Sequence, residues 1–220
     1  MLVQTSITVQ KTIGINMKGF EKNNLCAVIA AAGKSSRMET PKLFLKFDQK
    51  RTFIEKIVDE FLDFGCQQIA LVVNQDNYDF SCNLFYKNAD KVHVVLNDRL
   101  DFERFFSIKL GSITLVNCSF CFIHNCDNPF INQEILTDIY NKKENDFFVQ
   151  PTYKSHGGHP ILISKSIINN IVNSKQNDTN LKEFLSAFQV KRVEIENENI
   201  LLNINTQAEY QHISNFLNLN

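Results

Sequence analysis

A short basic loop holds the residues best suited to binding phosphate. It follows the apolar run Leu25–Ala31 and Gly33, and its polar members are Lys34, Ser35, Ser36, Arg37 and Lys42. Small side chains let backbone N–H groups approach an anion, and lysine and arginine supply positive charge. The apolar run is long enough for one buried strand and too short to span a membrane. The pattern predicts a polyphosphate site after a buried strand.

Two familiar phosphate-binding motifs do not fit this loop. Gly33, Lys34 and Ser35 could suggest a P-loop, but that motif requires a glycine five residues before Gly33, where Val28 stands. A dinucleotide-binding fingerprint requires several glycines, and Gly33 is the only glycine in the loop. The loop therefore indicates a different class of nucleotide site.

The surrounding elements alternate between strands and helices. Capping boxes start helices at Thr52 and Thr206, and Gly65 ends the first of them. We predict strands over 25–31, 69–73, 91–96, 120–124, 146–152, 160–163, 190–194 and 200–203. We predict helices over 52–64, 107–116, 132–140 and 164–173, a shorter one from an Asp178 cap to about residue 188, and a final helix after Thr206. This order predicts a three-layer α/β/α fold around a Rossmann-like, mostly parallel mixed sheet.

A second candidate residue follows a predicted strand. Asp127 comes just after the strand that ends at His124. Ligands of such folds bind beyond the carboxyl ends of the strands. We therefore expect Asp127 to share one sheet edge with the basic loop.

Size and charge limit the classes of function. The chain has 220 residues and a net charge of −1, so it carries no general basic field for nucleic acid or membrane surfaces. It has no run of about 18 apolar residues, and its first residues lack the apolar core of a signal peptide. We expect a cytoplasmic protein with residues 1–24 as a tail or extension and 25–220 as a single domain.

The cysteines allow a metal or redox interpretation. Cys118 and Cys121, with His124 and Cys126 nearby, could form a zinc or redox cluster. A strand through them would place Cys118 and Cys121 on opposite faces, because their separation is odd. No second cysteine pair follows at finger spacing, so we expect free thiols that line the core.

Several motifs resemble one enzyme family. The segment 30–38, AAAGKSSRM, followed by Pro41 and Lys42, resembles the signature loop of nucleotidyltransferases with a glycosyltransferase-A-like fold. The branch it is most similar to contains the molybdenum cofactor cytidylyl- and guanylyltransferases. Segments 126–129 (CDNP), 158–160 (GHP) and 203–206 (NINT) resemble that family's metal, acceptor and closing segments, and Ser107 fits its helix start. The resemblance extends over residues 25 to 215.

The resemblance implies magnesium-dependent transfer of a nucleotide to a phosphorylated acceptor, molybdopterin by family default, with release of pyrophosphate. It implies that Arg37, Lys42 and Asp127 are catalytic, with Asp127 and Asn205 holding Mg²⁺. It assigns nucleotide contacts to Ala30, Ala31, Ala32, Gly33, Lys34, Ser35, Ser36 and Ser107. It assigns acceptor contacts to Gly158, His159, Pro160 and Asn203. A molybdoenzyme or its chaperone would be a partner.

The donor base and the acceptor stay open at this point. In the family, the sequence at 31–33 goes with CTP, whereas the closing segment at 203–206 is found in enzymes that use GTP. Glu39 stands where the family has glycine, Asn205 replaces an aspartate, and residues 102–106 replace a turn that contains Gly and Met. A sugar-phosphate or alcohol-phosphate nucleotidyltransferase is one alternative. A nucleotide-binding regulatory protein without turnover is another.

Overall fold

The computed structural model describes residues 24–217. The expected N-terminal tail, apart from Asn24, lies outside the described residues. No helix within the described range is long and apolar enough to cross a bilayer.

In the described part of the chain, eight strands form one mixed sheet. They are β1 (Leu25–Ala31), β2 (Gln68–Val73), β3 (Val92–Leu96), β4 (Phe120–Asn125), β5 (Phe147–Tyr153), β6 (His156–Gly157), β7 (Ile161–Ser164) and β8 (Gln189–Glu194). The order is β3-β2-β1-β4-β7-β5-β6, and β8 also pairs with β5. Strands β3, β2, β1 and β4 are parallel, β7 is antiparallel to both neighbours, and β8 is parallel to β5. The predicted mostly parallel mixed sheet is confirmed.

Within residues 24–217, seven α-helices accompany the sheet. They are α1 (Phe53–Phe64), α2 (Gln75–Leu84), α3 (Arg104–Thr114), α4 (Gln133–Tyr140), α5 (Lys165–Asn173), α6 (Leu181–Leu185) and α7 (Gln207–Phe216). Helices α1 and α4 pack with one face of β1, including Ile29, whereas α3 and α5 pack with the other face, including Val28. Both faces of β1 are therefore buried, which explains why its sequence is continuously apolar instead of alternating. The three-layer arrangement is confirmed.

The connections create a switch point beside β1. The chain runs outward from β1 to β2 and β3 and then returns to form β4 on the opposite side of β1. The loops after β1 and β4 leave in opposite directions, so a crevice opens between them at the carboxyl ends of these strands. This crevice holds the site described below.

Some predicted elements differ from the structure. Helix α2 was not predicted, because its buried residues are Asn77 and Ser81 and it lacks an apolar stripe. The predicted strand over 200–203 is wrong: Glu198–Leu201 forms a 3-10 helix. Helix α6 is capped by Asn180 and not by the predicted Asp178, and it ends at Leu185.

Helix α3 also begins earlier than predicted, at Arg104 instead of Ser107. The fully buried Phe105 extends the apolar face that Ile108 continues, and this places Arg104 in the first helical turn. Gly111 lets α3 approach the sheet closely, since a Cβ atom there would lie 2.7 Å from Val28 Cγ1.

The cysteines line the core as expected, but the prediction of opposite faces is wrong. Cys118 precedes β4, so strand alternation does not govern it, and it packs in the same core cluster as Cys26 and Cys121. None of the six cysteines, all of which lie within residues 24–217, forms a disulfide bond. Residues 24–217 contain no group of three or more His, Cys, Asp or Glu residues arranged to hold a metal ion.

Candidate active site

The basic loop leaves β1 and is held by contacts at both ends. Asn74, the buried N-cap residue of α2, donates from Nδ2 to the carbonyl of Ala32 at 3.2 Å. Ser35 has a positive φ of 49°, and its Oγ accepts the backbone N–H of Lys42 at 3.2 Å. The loop therefore curls back so that Lys42 approaches its start.

A cavity of about 250 Å³ opens beside this loop at the carboxyl edge of the sheet. It brings together many of the residues predicted from the sequence: Ala30, Ala32, Gly33, Lys34, Ser35, Lys42, Ser107 and Asp127. We call it the first cavity. The expectation that Asp127 and the loop share one edge is therefore met.

The remaining predicted loop residues lie elsewhere. Ser36 and Arg37 line a smaller cavity of about 230 Å³, together with Asn205 and with Gly33, Lys34, Ser35 and Lys42, which also line the first cavity. Ala31 is buried in the core. Glu39 is exposed and lines neither cavity.

Lys42 lies between two oxygen-bearing side chains. Its Nζ donates to Asn205 Oδ1 at 2.6 Å and is 3.8 Å from Asp127 Oδ2. The Lys42 and Asp127 side chains are 14% and 21% exposed, so both charges are partly shielded from water. The three residues form a compact polar cluster where the first cavity meets the smaller cavity, since Lys42 lines both, Asp127 lines the first and Asn205 lines the smaller one.

Helix α7 and the loop after β4 position this cluster. Glu209, in the capping box of α7, accepts the backbone N–H groups of Asn205 and Thr206 at 2.6 and 2.9 Å. The N–H of Ile204 donates to the carbonyl of Asp127 at 2.9 Å. The segment 203–206 is therefore hydrogen-bonded directly to Asp127, the residue with the buried carboxylate oxygen.

A buried histidine, His124, makes a hydrogen bond to the loop that contains Asp127. His124 Nε2 lies 2.7 Å from the carbonyl oxygen of Asn128, and the Asn128 side chain donates to the carbonyl of Asn199 at 3.0 Å. Burial, with a smaller effect of His159, lowers the pKa of His124 to about 3. His124 is therefore neutral at pH 7, and its Nε2–H donates to the Asn128 carbonyl.

Asp127 has the properties of a metal ligand. Its Oδ1 is buried and has no hydrogen-bond partner among residues 24–217. Burial raises the pKa of Asp127, whereas the charges of Lys42 and Arg104 oppose that rise. A buried carboxylate oxygen without a partner is costly, and a cation would satisfy it. Mg²⁺ typically takes one or two carboxylates and completes its shell with phosphates and water, so the donor set here fits that ion.

The predicted acceptor residues are spread out. His159 lines a separate cavity of about 450 Å³, which we call the second cavity. Gly158 and Pro160 are buried, and the Gly158 N–H donates to the carbonyl of Pro151 at 2.8 Å. Asn203 is exposed and lines none of the three cavities. The structure therefore does not group these four residues around one space.

Seven residues that line the first cavity were not predicted as site residues, and three of them can make hydrogen bonds through uncharged amides or a guanidinium group. These three are Asn97, Arg104 and Asn125. Asn97 is buried and donates from Nδ2 to Ser107 Oγ at 2.9 Å. Asn97 directly follows the predicted strand over 91–96, much as Asp127 follows β4, so the rule applied to Asp127 could also have found it.

Comparison with known proteins gives a consistent result. The model of the MobA-like NTP transferase domain matches residues 27–193, well over half of the chain. A molybdenum cofactor cytidylyltransferase of Escherichia coli (strain K12) is 29% identical over 183 residues, which cover 83% of this chain and 92% of that protein. A probable molybdenum cofactor guanylyltransferase of Clostridium perfringens (strain SM101 / Type A) is 26% identical over 204 residues, covering 85% and 94%.

The fold comparison agrees with these relatives. The structure of a 4-diphosphocytidyl-2C-methyl-D-erythritol synthase from Anaerococcus prevotii superposes with a TM-score of 0.69 at 18% identity. The match covers 88% of this chain and 98% of that one. The resemblance stated from the sequence is confirmed. The chain belongs to the MobA-like NTP transferase family, and it is a nucleotidyltransferase that transfers a nucleoside monophosphate from a nucleoside triphosphate.

Proposed function

We propose that the protein transfers a nucleoside monophosphate, with Mg²⁺, to a phosphorylated acceptor of the molybdopterin type and releases pyrophosphate. The observation that carries this proposal is the cluster of Lys42, Asp127 and Asn205 where the first cavity meets the smaller one. One cation and one unsatisfied carboxylate oxygen beside a small-residue loop provide what a triphosphate and its metal require.

The reaction depends on position and charge more than on a protein nucleophile. A phosphate oxygen of the acceptor attacks the α-phosphorus, and pyrophosphate leaves. Lys42 stabilises negative charge on the α-phosphate, and Arg37 in the adjoining cavity neutralises the departing pyrophosphate. Backbone N–H groups of the loop hold the triphosphate and orient it for attack.

The metal has an assigned place in this proposal. Asp127 holds Mg²⁺, and Asn205 is the second ligand or an acceptor contact. The ion supplies charge neutralisation of the phosphates. Because Asn205 is an amide, the site has one carboxylate and its affinity for free Mg²⁺ is low before the nucleotide binds.

The nucleoside occupies the first cavity in this proposal. Ala30, Ala32 and Gly33 contribute backbone groups that read the base, and the bonded pair Asn97 and Ser107 borders the same space. We favour CTP because of the sequence at 31–33, and GTP is the alternative. Of the two relatives described above, one is named a cytidylyltransferase and the other a probable guanylyltransferase.

Pyrophosphate release tests the proposal. The enzyme is incubated with Mg²⁺, each of four NTPs and a panel containing molybdopterin, sugar phosphates and alcohol phosphates. We expect release with CTP or GTP and molybdopterin, and loss of release when EDTA is added. Release with a sugar phosphate or an alcohol phosphate in place of molybdopterin would identify that compound class as the acceptor.

A matched pair of variants tests the metal assignment. Asp127→Asn should lower turnover by about 10²-fold or more, because one preorganised charge at the reacting phosphates is lost. Asp98→Asn removes an exposed carboxylate outside the cavities and should leave turnover unchanged. NTP binding without release for any acceptor would instead identify a regulatory nucleotide-binding protein.

A further inference from the structure

Asn125 presents a buried side-chain amide to the first cavity. It is the last residue of β4, it lines that cavity, and it is only 7% exposed. Its side chain makes no hydrogen bond with any residue between 24 and 217. Asn97 in the same cavity is different, since its amide donates to Ser107 Oγ and accepts the backbone N–H of Arg99. A buried amide without a partner costs free energy, and a ligand in the cavity would satisfy it.

Strand alternation turns the Asn125 side chain toward α3. Ile123, two residues earlier in β4, packs in the core cluster that contains Phe105 and Ile108 of α3. Side chains two residues apart in a strand point to the same face of the sheet, so Asn125 points toward α3 as well. Ala30, its partner in the parallel pairing of β1 with β4, lines the same cavity. The amide therefore lies between the sheet and the first turn of α3.

The strand order places Asn125 between the two ends of the first cavity. Asn97, bonded to Ser107, follows the edge strand β3 and lies at one end. Asp127, with the metal in the proposed function, lies at the other end. Arg104, which also lines the second cavity, is near that end too, because its charge opposes the rise in the pKa of Asp127. A ribose joins the base of a nucleotide to its phosphates, so a nucleotide with its base toward Asn97 places its ribose beside Asn125.

The chemistry of an amide fits a ribose better than a phosphate. Each hydroxyl of the ribose 2′,3′-diol can both donate and accept a hydrogen bond. The oxygen of the Asn125 amide can therefore accept from one hydroxyl while its nitrogen donates to the other. A phosphate offers acceptors alone and would leave the amide oxygen without a partner.

A second carboxylate of the first cavity also favours a neutral ligand group. Among the described residues, Glu103 and Asp127 are the two carboxylates that line this cavity. Glu103 is the N-cap residue of α3, and its Oε2 accepts a hydrogen bond from Asn180 Nδ2 at 3.1 Å. A carboxylate repels phosphates, whereas acidic side chains accept hydrogen bonds from ribose hydroxyls. Glu103 is therefore suited to the nucleoside part of the donor.

We propose that the Asn125 side chain binds the ribose 2′- and 3′-hydroxyls of the donor nucleotide and makes the enzyme select ribonucleotides over 2′-deoxyribonucleotides. This inference rests on the proposed function and assigns a residue to the sugar of the donor. Loss of the 2′-hydroxyl leaves part of a buried amide unpaired, and sites built to bond a hydroxyl reject analogues that lack it.

Equilibrium binding measures this selection without requiring turnover. The probes are CTP and 2′-dCTP, and GTP and 2′-dGTP, each titrated by calorimetry into the full-length protein with Mg²⁺. For the base that the enzyme uses, we expect the ribonucleotide to bind about tenfold or more tightly than its deoxy analogue.

Two variants of Asn125 connect the selection to the amide. Asn125→Leu keeps a similar side-chain volume, and it should weaken the ribonucleotide about tenfold and reduce the preference for ribose to less than about threefold. Together, the two nucleotides and the two proteins form a cycle that measures the coupling between the 2′-hydroxyl and the amide. If the leucine variant does not fold, Asn125→Ser, with its shorter polar side chain, should still lower the preference at least about threefold.

The matched control is Asn83→Leu, because Asn83 is an exposed asparagine that lines none of the three cavities. It should leave both affinities unchanged. Equal binding within both nucleotide pairs, or a preference for ribose that survives in Asn125→Leu, would overturn the inference. A change in preference between CTP and GTP, with the preference between sugars unchanged, would also overturn it, because Asn125 would then contact the base. Selective binding of the ribonucleotide without pyrophosphate release for any acceptor would uphold the inference and contradict the proposed function.

Discussion

Replacing Lys42 with methionine removes the cation that joins the two oxygen-bearing residues of the site. Its Nζ lies 2.6 Å from Asn205 Oδ1 and 3.8 Å from Asp127 Oδ2, and its side chain is 14% exposed. Methionine has a similar length and leaves the apolar stem in place. The change therefore tests the charge and its hydrogen bond, with little change in packing.

The expected loss of activity follows from the distances. A unit charge about 4 Å from another contributes roughly 4 kcal/mol of direct interaction at an effective dielectric constant near 20. Removal of one preorganised donor from a site of developing negative charge typically lowers kcat by about 10²–10³-fold. We expect Lys42→Met to fall in that range for pyrophosphate release at saturating NTP and acceptor.

The same variant should also change the pH dependence of metal binding. Burial raises the pKa of Asp127, and the positive charge of Lys42 lowers it in part. Removal of Lys42 therefore raises the pKa of Asp127 further. Mn²⁺ binding, measured by calorimetry from pH 5 to pH 8, should need a higher pH in the variant than in the wild type. This direction follows because the metal binds the ionised carboxylate.

Lys46→Met is the matched control, because Lys46 is an exposed lysine that lines none of the three cavities. It should retain activity within about twofold. Our assignment of Lys42 would be refuted if Lys42→Met, folded as judged by circular dichroism, kept kcat within threefold of the wild type.

Two further predictions concern stability. Gly111→Ala should lower the free energy of unfolding by about 1 kcal/mol in urea titrations. The new Cβ would lie 2.7 Å from Val28 Cγ1 and 3.0 Å from Val72 Cγ2. Such overpacking typically costs about 1–3 kcal/mol, which exceeds the roughly 1 kcal/mol gained in helix propensity. Acid should also destabilise the protein, because the pKa of His124 is about 3 when folded and about 6.5 when unfolded. The depressed pKa means that this contribution is complete above pH 6.5 and decreases by up to ~1.4 kcal/mol per pH unit as the pH falls toward 3.

Each stability prediction has its own comparison. Gly33→Ala adds a Cβ with no atom within 4 Å, so its stability should match the wild type, and an equal loss in both glycine variants would contradict the packing argument. His124→Gln keeps a donor for the Asn128 carbonyl and removes one titrating group. Its unfolding free energy should fall less steeply with acid, whereas an unchanged slope would show that other groups cause the acid sensitivity.

The sequence predicts best where local chemistry decides the structure. The capping boxes at Thr52 and Thr206 and the stop at Gly65 all occur as expected. The apolar run of β1 and the loop from Gly33 to Lys42 could also be recognised, because their neighbours along the chain define them. The contact of Lys42 with Asn205 could be anticipated by resemblance alone, since no local pattern joins residues 163 positions apart.

Arg104 shows why the rest could not be predicted. Arg104 and the two phenylalanines that follow it give no periodic signal, so the sequence predicts a helix start at Ser107. The burial of Phe105 against the sheet, which depends on strands elsewhere in the sequence, draws the helix start back to Arg104. Tertiary packing thus determines which residue stands between the two cavities.

The link between Ile204 and Asp127 has a consequence for the order of events during biosynthesis. A ribosome releases the basic loop, β1 and β4 well before it releases the segment that supplies Asn205. Until that segment docks, Lys42 lacks its 2.6 Å partner and the carbonyl of Asp127 lacks the N–H of Ile204. The cluster of Lys42, Asp127 and Asn205 is therefore completed later than β1 and β4, and a nascent chain that has not yet formed the segment 203–206 lacks the contact between Lys42 and Asn205.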